Sequence, residues 1–249
     1  MSLIPVSKET LGTKRLKPLT SLSVLSNVPH CEVLGAEFAD IAANYPIFFV
    51  QRETVFIPIA LFAVSAGANL FIDDQGRWDG AYLPAAFRRY PFAISPGESG
   101  NDQVLMVEED MLSDDEGELI FGASQNSDLD PDSIVGRVLR FTAESMQQGQ
   151  ATRRVVDAIT AADLILPASE TFNVPAGQPF LPGFFSISEK RLNDLSDEKF
   201  LDLRRQGALP LIYLQLASLG QLGRLRIRHA ARTGQPLPAA GPHAPASLN

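Results

Sequence analysis

The sequence is poor in the side chains that form disulfides and metal centres. It has one cysteine, Cys31, and three histidines, at positions 30, 229 and 243. A lone thiol cannot close an internal disulfide, and the cysteine sets or closely spaced histidines of zinc sites are absent. We therefore expect no metal and no cofactor, and we interpret Cys31 as a buried structural thiol.

Positive charge is also scarce. The chain has 21 lysines and arginines against 29 aspartates and glutamates, which gives a formal net charge of −8. An acidic protein repels phosphate backbones, so we expect no nucleic-acid partner. Hydrophobic residues make up 45% of the 249 positions, which is enough to bury a substantial core.

The N-terminal residues lack the continuous apolar segment and small-residue cleavage site of a secretory signal. This predicts a cytoplasmic protein, with leaderless export to the cell surface as the alternative. The uncharged stretch 54–72 approaches the length of a membrane span. Pro58 interrupts it and Gly67 lies in a turn-prone centre, so we predict two short buried strands and a soluble protein without a transmembrane span.

Strand-like segments precede helical ones along most of the chain. This order predicts an α+β fold, with a mixed, mainly antiparallel sheet in the N-terminal half packed against helices of the middle and C-terminal regions. We expect an N-terminal arm over residues 1–30, a single domain over 31–232 and a disordered tail rich in Pro and Ala over 233–249. Residues 108–118, EEDMLSDDEGE, are interpreted as a solvated acidic loop.

Local signals predict where two helical segments break or continue. Gly149 lies between two helical patterns after Pro131, and it predicts a break there. Residues 208–232, ALPLIYLQLASLGQLGRLRIRHAAR, are mostly apolar at first and amphipathic later, which predicts one long helix.

The stretch NLFIDDQGRWDGAYLPAAFRRYPF, residues 69–92, concentrates unusual side chains. It holds the only tryptophan, an arginine pair and two of the four tyrosines. Arginine offers forked donors to a carboxylate or phosphate, and aromatic residues with arginine are typical of binding hot spots. The predicted ligand- or partner-binding residues are Trp78, Tyr82, Arg88, Arg89 and Tyr90.

The same stretch is also compatible with a structural role. One arginine could pair with Asp79 or another acid, and the aromatic rings could fill the core. Motifs for catalysis are missing, since the sequence has no Gly-x-Ser-x-Gly elbow, no phosphate-binding glycine loop and no dinucleotide fingerprint. We assign no catalytic residues and favour a protein that is not an enzyme.

These residues resemble the SapC-like family of bacterial proteins. The similarity rests on the stretch 69–92, on NYPIFFV ahead of it, and on FFSISEKRLNDLSDEKFLDLRRQGALPLIYLQLASLGQLGRL near the end, and it spans roughly residues 30–230. The resemblance implies association with a bacterial surface layer and supplies no catalytic residues. Family members are often encoded near flavin-dependent tryptophan halogenases and outer-membrane receptors, which implies an accessory role. The family's other label, peptide transport permease, conflicts with the lack of multiple apolar spans.

The leading expectation is a non-catalytic binding or assembly protein associated with the surface layer. The alternative is an accessory protein or enzyme that acts with a halogenase or receptor system on a small molecule or peptide. The expected partner is a protein or a small anionic ligand. The sequence does not predict an oligomeric state.

Overall fold

Helices and antiparallel strands are both present, which confirms the predicted α+β fold. The structure is a computed structural model that describes residues 2–64, 68–97, 102–122, 130–172 and 181–234. The predicted disordered tail, 233–249, is wrong for its first two residues, because Thr233 ends the last helix and Gly234 is its C-cap; residues 235–249 lie outside these ranges. All strand pairs among the described residues are antiparallel.

The strands are β1 (Leu3–Pro5), β2 (Arg15–Leu16), β3 (His30–Glu32), β4 (Ile47–Arg52), β5 (Val55–Leu61), β6 (Phe92–Pro96), β7 (Gln103–Glu108), β8 (Leu112–Ser113), β9 (Glu118–Leu119), β10 (Ile165–Pro167) and β11 (Phe184–Ile187). The α-helices are α1 (Lys8–Leu11), α2 (Phe38–Asn44), α3 (Ala85–Arg88), α4 (Ile134–Ala161), α5 (Ala168–Thr171), α6 (Glu189–Asn193), α7 (Asp197–Arg205), α8 (Leu209–Ser218) and α9 (Gln221–Thr233). Short 3-10 turns cover Ser23–Leu25, Gly35–Glu37 and Glu109–Met111.

The chain divides into two compact units. Unit 1 lies within the ranges 1–20 and 85–147, and unit 2 within 21–84 and 148–249. A single domain over 31–232 stays a prediction, because two compact units can still belong to one folding domain.

Unit 1 contains two small sheets, with strand orders β1-β7-β6 and β8-β2-β9. The predicted N-terminal arm supplies β1 and β2, so its first residues pair with strands far along the chain. The predicted acidic loop contains a 3-10 turn, β8 and the start of β9. The core beneath these strands consists of Leu11, Phe92, Leu105, Val107, Ile120, Phe121, Ile134 and Val135.

Unit 2 is built on a five-stranded sheet with the order β10-β11-β4-β5-β3. Phe48 and Phe49 of β4 are almost completely buried, as a continuous apolar run in a central strand should be. Cys31 on the edge strand β3 is buried too, which confirms the predicted buried thiol. Burial raises the pKa of this thiol, so it stays protonated and unreactive at neutral pH.

The ladder between β11 and β4 is continued by a side chain from α8. The described pairing includes Phe185 opposite Phe49, and the same register two residues further would place Ile187 opposite Ile47. There the Gln215 amide bridges the strands: Oε1 accepts from the Ile187 N–H at 3.3 Å, and Nε2 donates to the Ile47 carbonyl at 2.9 Å. The Gln215 side-chain amide thus replaces the direct backbone hydrogen bonds that would join the two strands at this position.

Two serines complete this bridge. The Ser218 hydroxyl donates to the Gln215 carbonyl at 2.6 Å and accepts from the Ile47 N–H at 2.9 Å. Gln215 Nε2 also donates to the Ser186 hydroxyl at 3.0 Å. Gln215, Ser186 and Ser218 are fully buried, and these bonds spare them the cost of an unsatisfied polar group. The bridge therefore fixes α8 on the sheet.

The predicted break at Gly149 is wrong. Helix α4 is continuous from Ile134 to Ala161. One helical glycine costs about 1 kcal/mol, which tertiary contacts can outweigh. Here the Thr152 hydroxyl, one turn later, accepts from the Gly35 N–H at 2.7 Å, and a Cβ at Gly149 would lie 3.9 Å from the Leu34 side chain.

The predicted single helix over 208–232 is also wrong, because α8 and α9 are separate. Between them, the Leu219 and Gly220 N–H groups bond to carbonyls three residues back, as in a 3-10 turn. Gly220 is a poor helix former, and Ser218 bonds its own helix backbone, which also weakens regular helix.

The uncharged stretch 54–72 is only partly as predicted. Strand β5 (Val55–Leu61) is its first strand, whereas the second is reduced to an isolated bridge between Ile72 and Trp78. None of the helices in the described ranges is long and apolar enough to cross a membrane.

We predict that Gln215→Leu lowers the free energy of unfolding by about 2–4 kcal/mol, because the Ile47 carbonyl and the Ile187 N–H lose their partner in a dry core. Urea titration followed by Trp78 fluorescence measures this value. Gln206→Leu, at an exposed position beyond α7, is the matched control and should change stability by less than about 0.5 kcal/mol. Equal stability of the two variants would contradict the bridge.

Candidate functional site

The five predicted site residues are divided between the two units. Trp78 and Tyr82 belong to unit 2, whereas Arg88, Arg89 and Tyr90 belong to unit 1. Each group is therefore described within its own unit.

In unit 2, Trp78 is part of a cluster of four aromatic rings. It contacts Tyr45, Phe62 and Phe71, and these three also contact each other, with centroid separations from 4.8 to 6.0 Å. Such edge-to-face and offset contacts stabilise beyond simple burial. Trp78 therefore has a packing role.

The polar groups of this cluster are used internally. The Tyr82 carbonyl accepts from both the Tyr45 hydroxyl, at 2.5 Å, and Trp78 Nε1, at 3.0 Å. The Tyr82 hydroxyl donates to Glu37 Oε1 at 2.7 Å, and Glu37 Oε2 accepts from the Leu34 N–H at 3.2 Å. A place for Trp78 and Tyr82 in a binding site stays a prediction.

Trp78 also borders a hollow of about 320 Å³ in unit 2. Asp79, considered above as a partner for the arginine pair, lies here and pairs with Arg228 at 2.7 Å. The Arg228 guanidinium also lies 4.5 Å from the centre of the Phe71 ring. Asp79 and Arg228 thus compensate each other's charge. Arg224 also lines the hollow, so its two arginines and one aspartate give a formal balance of 2 − 1 = +1.

A larger cleft, of about 520 Å³, lies in unit 1 and is lined by all three of the remaining predicted residues. Helix α3 ends at Arg88, and a turn through Arg89 and Tyr90 leads into β6. The Phe92 N–H donates to the Arg89 carbonyl at 2.8 Å, which closes this turn at the rim of the cleft. The other walls come from residues 16–19, from the start of β9 and from α4.

Helix α4 presents one face to the cleft. Ile134, Arg137, Val138 and Phe141 line it at the spacing that places side chains on the same side of a helix. Ile134 is almost fully buried and belongs to the core of unit 1 together with Phe92, which also lines the cleft. The apolar wall is therefore continuous with a packed core.

Charge in the cleft is opposite to that of its surroundings. The ranges of unit 1 contain eight basic and fourteen acidic residues in the sequence, a balance of 8 − 14 = −6. The cleft lining contains four of those basic residues and one of the acids, a balance of 4 − 1 = +3. These charged residues are Lys17, Arg88, Arg89, Arg137 and Glu118. The cleft thus concentrates positive charge in an acidic unit.

Three of the four cations have described contacts that hold them in place. Lys17 Nζ donates to the Asp110 carbonyl at 2.9 Å. The Arg137 guanidinium pairs with the Glu118 carboxylate at 3.1 Å. The Arg88 guanidinium lies 5.5 Å from the centre of a ring on α4.

Arg89 differs from them. Its side chain is exposed, and within the described part of the chain it makes no hydrogen bond or ion pair. The neighbouring Tyr90 is partly buried, and this burial, followed by the carboxylates of Glu108 and Asp110, raises the pKa of the phenol. Tyr90 therefore remains a neutral hydroxyl donor at physiological pH.

The cleft has the chemistry to bind an anion that also carries an apolar part. Its volume is within the range of small-molecule sites. It contains no histidine or cysteine, and its only carboxylate, Glu118, is paired with Arg137, so a separate acid and base are missing from the described lining. The described residues also contain no cluster of three or more possible metal ligands.

Sequence reasoning missed part of this site. Lys17, Glu118, Arg137 and Phe141 come from segments far from the arginine pair and meet it only through the fold. The i, i+4 relation of Arg137 and Phe141 was visible as one helix face, but nothing in it indicated the cleft. Lys17 carried no local signal.

Comparison with known proteins assigns the family. A family model of SapC matches residues 6–225. The chain belongs to the SapC family. Searches of curated proteins and of solved structures found no match. The SapC match includes every residue that lines the unit 1 cleft.

We predict that Gly80→Ala disrupts the aromatic cluster. An added Cβ would lie 2.2 Å from the Tyr45 hydroxyl and 2.6 Å from Trp78 Nε1, so the rings must move. We expect a loss of about 1–3 kcal/mol and a red shift in the emission of the single tryptophan.

Gly223→Ala in α9 is the matched control, because its Cβ meets nothing within 4 Å, and it should keep the emission of the parent protein. An unchanged spectrum and stability for Gly80→Ala would contradict the tight packing.

Proposed function

We propose that this SapC-family protein is a non-catalytic binding protein whose unit 1 cleft holds an anionic group. The observation that carries the proposal is the concentration of four cations around a cleft with one paired acid, in a unit with an overall excess of acids. Arg88 and Arg89 supply the forked donors that carboxylates and phosphates require.

The lining narrows the ligand to an amphipathic anion. Phe92, Val138 and Phe141 offer an apolar surface next to the cations. The acidic remainder of the protein repels polyanions, because their charges extend beyond the cleft. A ligand with a single carboxylate, sulfonate or phosphate attached to an aromatic or aliphatic group fits the apolar surface and avoids the repulsion of polyanions.

Binding without catalysis agrees with the same set of residues. Acid–base catalysis needs a group that can exchange a proton near the ligand, and Glu118 is held in an ion pair. The Tyr90 phenol, with its raised pKa, can donate a hydrogen bond but is a poor base.

The biological setting that we propose is the bacterial surface layer, with support from membership in the SapC family. The anion would then be an acidic group of a surface-layer protein. The second candidate is an accessory role with a halogenase or receptor, and the concave shape of the cleft favours it, since a cleft accepts a small molecule more readily than a convex face does.

Affinity capture separates these two settings. The wild-type protein and the Arg89→Ala variant are used to capture partners from cytosolic and envelope fractions, which are identified by mass spectrometry. Surface-layer proteins that bind the wild type but not the variant support a role in the surface layer. A halogenase or receptor that binds only the wild type supports the accessory role.

For the cleft itself, we predict that Arg89→Ala weakens the binding of anilinonaphthalene sulfonate, an aromatic anion, by about tenfold. The Arg89 side chain makes no hydrogen bond or ion pair with the residues that the structure describes, so removing it should not affect the fold. Arg88→Ala combined with Arg89→Ala should weaken binding further. Fluorescence titration of the full chain measures the dissociation constants.

The pair Arg204→Ala and Arg205→Ala on α7 removes the same charge from another adjacent arginine pair and is the control. It should leave the affinity within about twofold. If both double variants lose the same affinity for the dye, the effect depends only on the net charge of the protein. That result would contradict a specific site in the cleft.

A further inference from the structure

The hollow of about 320 Å³ that Trp78 borders is built from residues of unit 2 alone. Its walls are the end of α2 with the turn after it, the loop that carries Trp78, and one face of α9. The α9 residues stand in i, i+3, i+4 and i+7 relation, which places them on the same side of the helix. They are Gln221, Arg224, Leu225 and Arg228.

Helix α9 makes its wall of the hollow basic. It carries four arginines and no acid. Two of these, Arg224 and Arg228, line the hollow, and Asp79 is the only acid among the described lining residues. Because Asp79 pairs with Arg228 at 2.7 Å, the net positive charge of the lining comes from Arg224.

The two arginines differ in how they are held. Arg228 donates to the Asp79 carbonyl at 2.9 Å as well as to its carboxylate, and it lies over the Phe71 ring. Arg224 is exposed and makes no hydrogen bond or ion pair with the residues that the structure describes. Its forked donors can therefore meet a carboxylate without breaking an internal contact.

Two acceptor atoms on residues that line the hollow lack a donor within the described part of the chain. Gln221 Nε2 donates to the Ala43 carbonyl at 3.1 Å, which fixes the amide orientation, and its Oε1 has no partner. Asp79 receives Arg228 on Oδ2, so Oδ1 is left over. A ligand with a hydrogen-bond donor would satisfy one of these acceptors.

Aromatic rings supply the apolar part of the lining. Tyr45 and Phe71 are buried, whereas Trp78 is only half-buried. The Trp78 and Phe71 rings are stacked with centroids 5.8 Å apart, so the indole is held in place. An aromatic ligand gains from contact with such a fixed ring. The volume is at the lower end of the range for small-molecule sites, which favours a ligand with a single ring.

We propose that this hollow binds a small aromatic carboxylate that carries an O–H or N–H donor on its ring. The carboxylate pairs with Arg224, the ring packs against Trp78, and the donor reaches a free acceptor of Gln221 or Asp79. A ligand with one negative charge matches the +1 balance of the lining. The site is additional to the unit 1 cleft and does not depend on it.

Titration of the full chain with 4-hydroxybenzoate tests the site. Trp78 is the only tryptophan, so its emission reports on the hollow. The wild type should show a saturable change, and Arg224→Ala should raise the dissociation constant by at least about tenfold. Arg154→Ala, at an exposed position of α4 outside the hollow, is the matched control and should stay within about twofold.

Two related probes test the two ends of the ligand on the wild type, so they do not depend on the folding of any variant. The neutral 4-hydroxybenzamide lacks the carboxylate and should bind at least about tenfold more weakly than 4-hydroxybenzoate. In 4-methylbenzoate a methyl group replaces the hydroxyl, and the loss of the donor should weaken binding by about fivefold.

The cleft and the hollow are distinguished by their arginines. Arg89→Ala, which weakens the proposed cleft in unit 1, should leave the Trp78 titration within about twofold of the wild type. Loss of the emission change in Arg89→Ala would overturn the proposal, because the probe would then be acting through the cleft.

Other outcomes would also overturn the proposal. One is a wild type without a saturable change up to about 10 mM 4-hydroxybenzoate. Another is an Arg224→Ala variant, shown to be folded by circular dichroism, that binds as tightly as the wild type. A third is equal binding of 4-methylbenzoate, which would leave the free acceptors without a role.

Discussion

The proposed anion binding depends on the concentration of four cations around the unit 1 cleft. Side chains of like charge that converge on one cleft, bordered by a packed apolar wall, raise each other's energy. The fold offsets part of this cost through the Asp110 carbonyl, the Glu118 carboxylate and the Phe141 ring. Arg89 makes no such contact with the described residues, so its exposed guanidinium is open to solvent and can meet an incoming anion.

The scaffold explains how such a site stays open. Its apolar wall belongs to the core of unit 1, and α4 supplies four lining residues from one face, so the cleft cannot collapse without repacking that core. In unit 2 the buried Gln215 bridge holds α8 against the sheet. That anchoring leaves the opposite face of α8 exposed.

Local patterns predicted the fold class, the buried strand at β5 and the arginine pair that lines the cleft, because each depends on neighbouring residues. The errors and omissions arise from long-range contacts. Gly149 remains helical because packing outweighs its propensity, and Lys17 reaches the cleft from a segment about seventy residues away in sequence. The role of Gln215 depends on where β11 leaves β4, which no window of sequence contains.

The central claim is that the unit 1 cleft attracts anions within an acidic protein. Crystals of the full chain soaked in bromide test it most directly, since anomalous scattering locates each bound ion. We predict a bromide site within hydrogen-bond reach of the Arg89 guanidinium, at higher occupancy than sites near the exposed arginines of α7. Bromide at α7 with none in the cleft would contradict the claim.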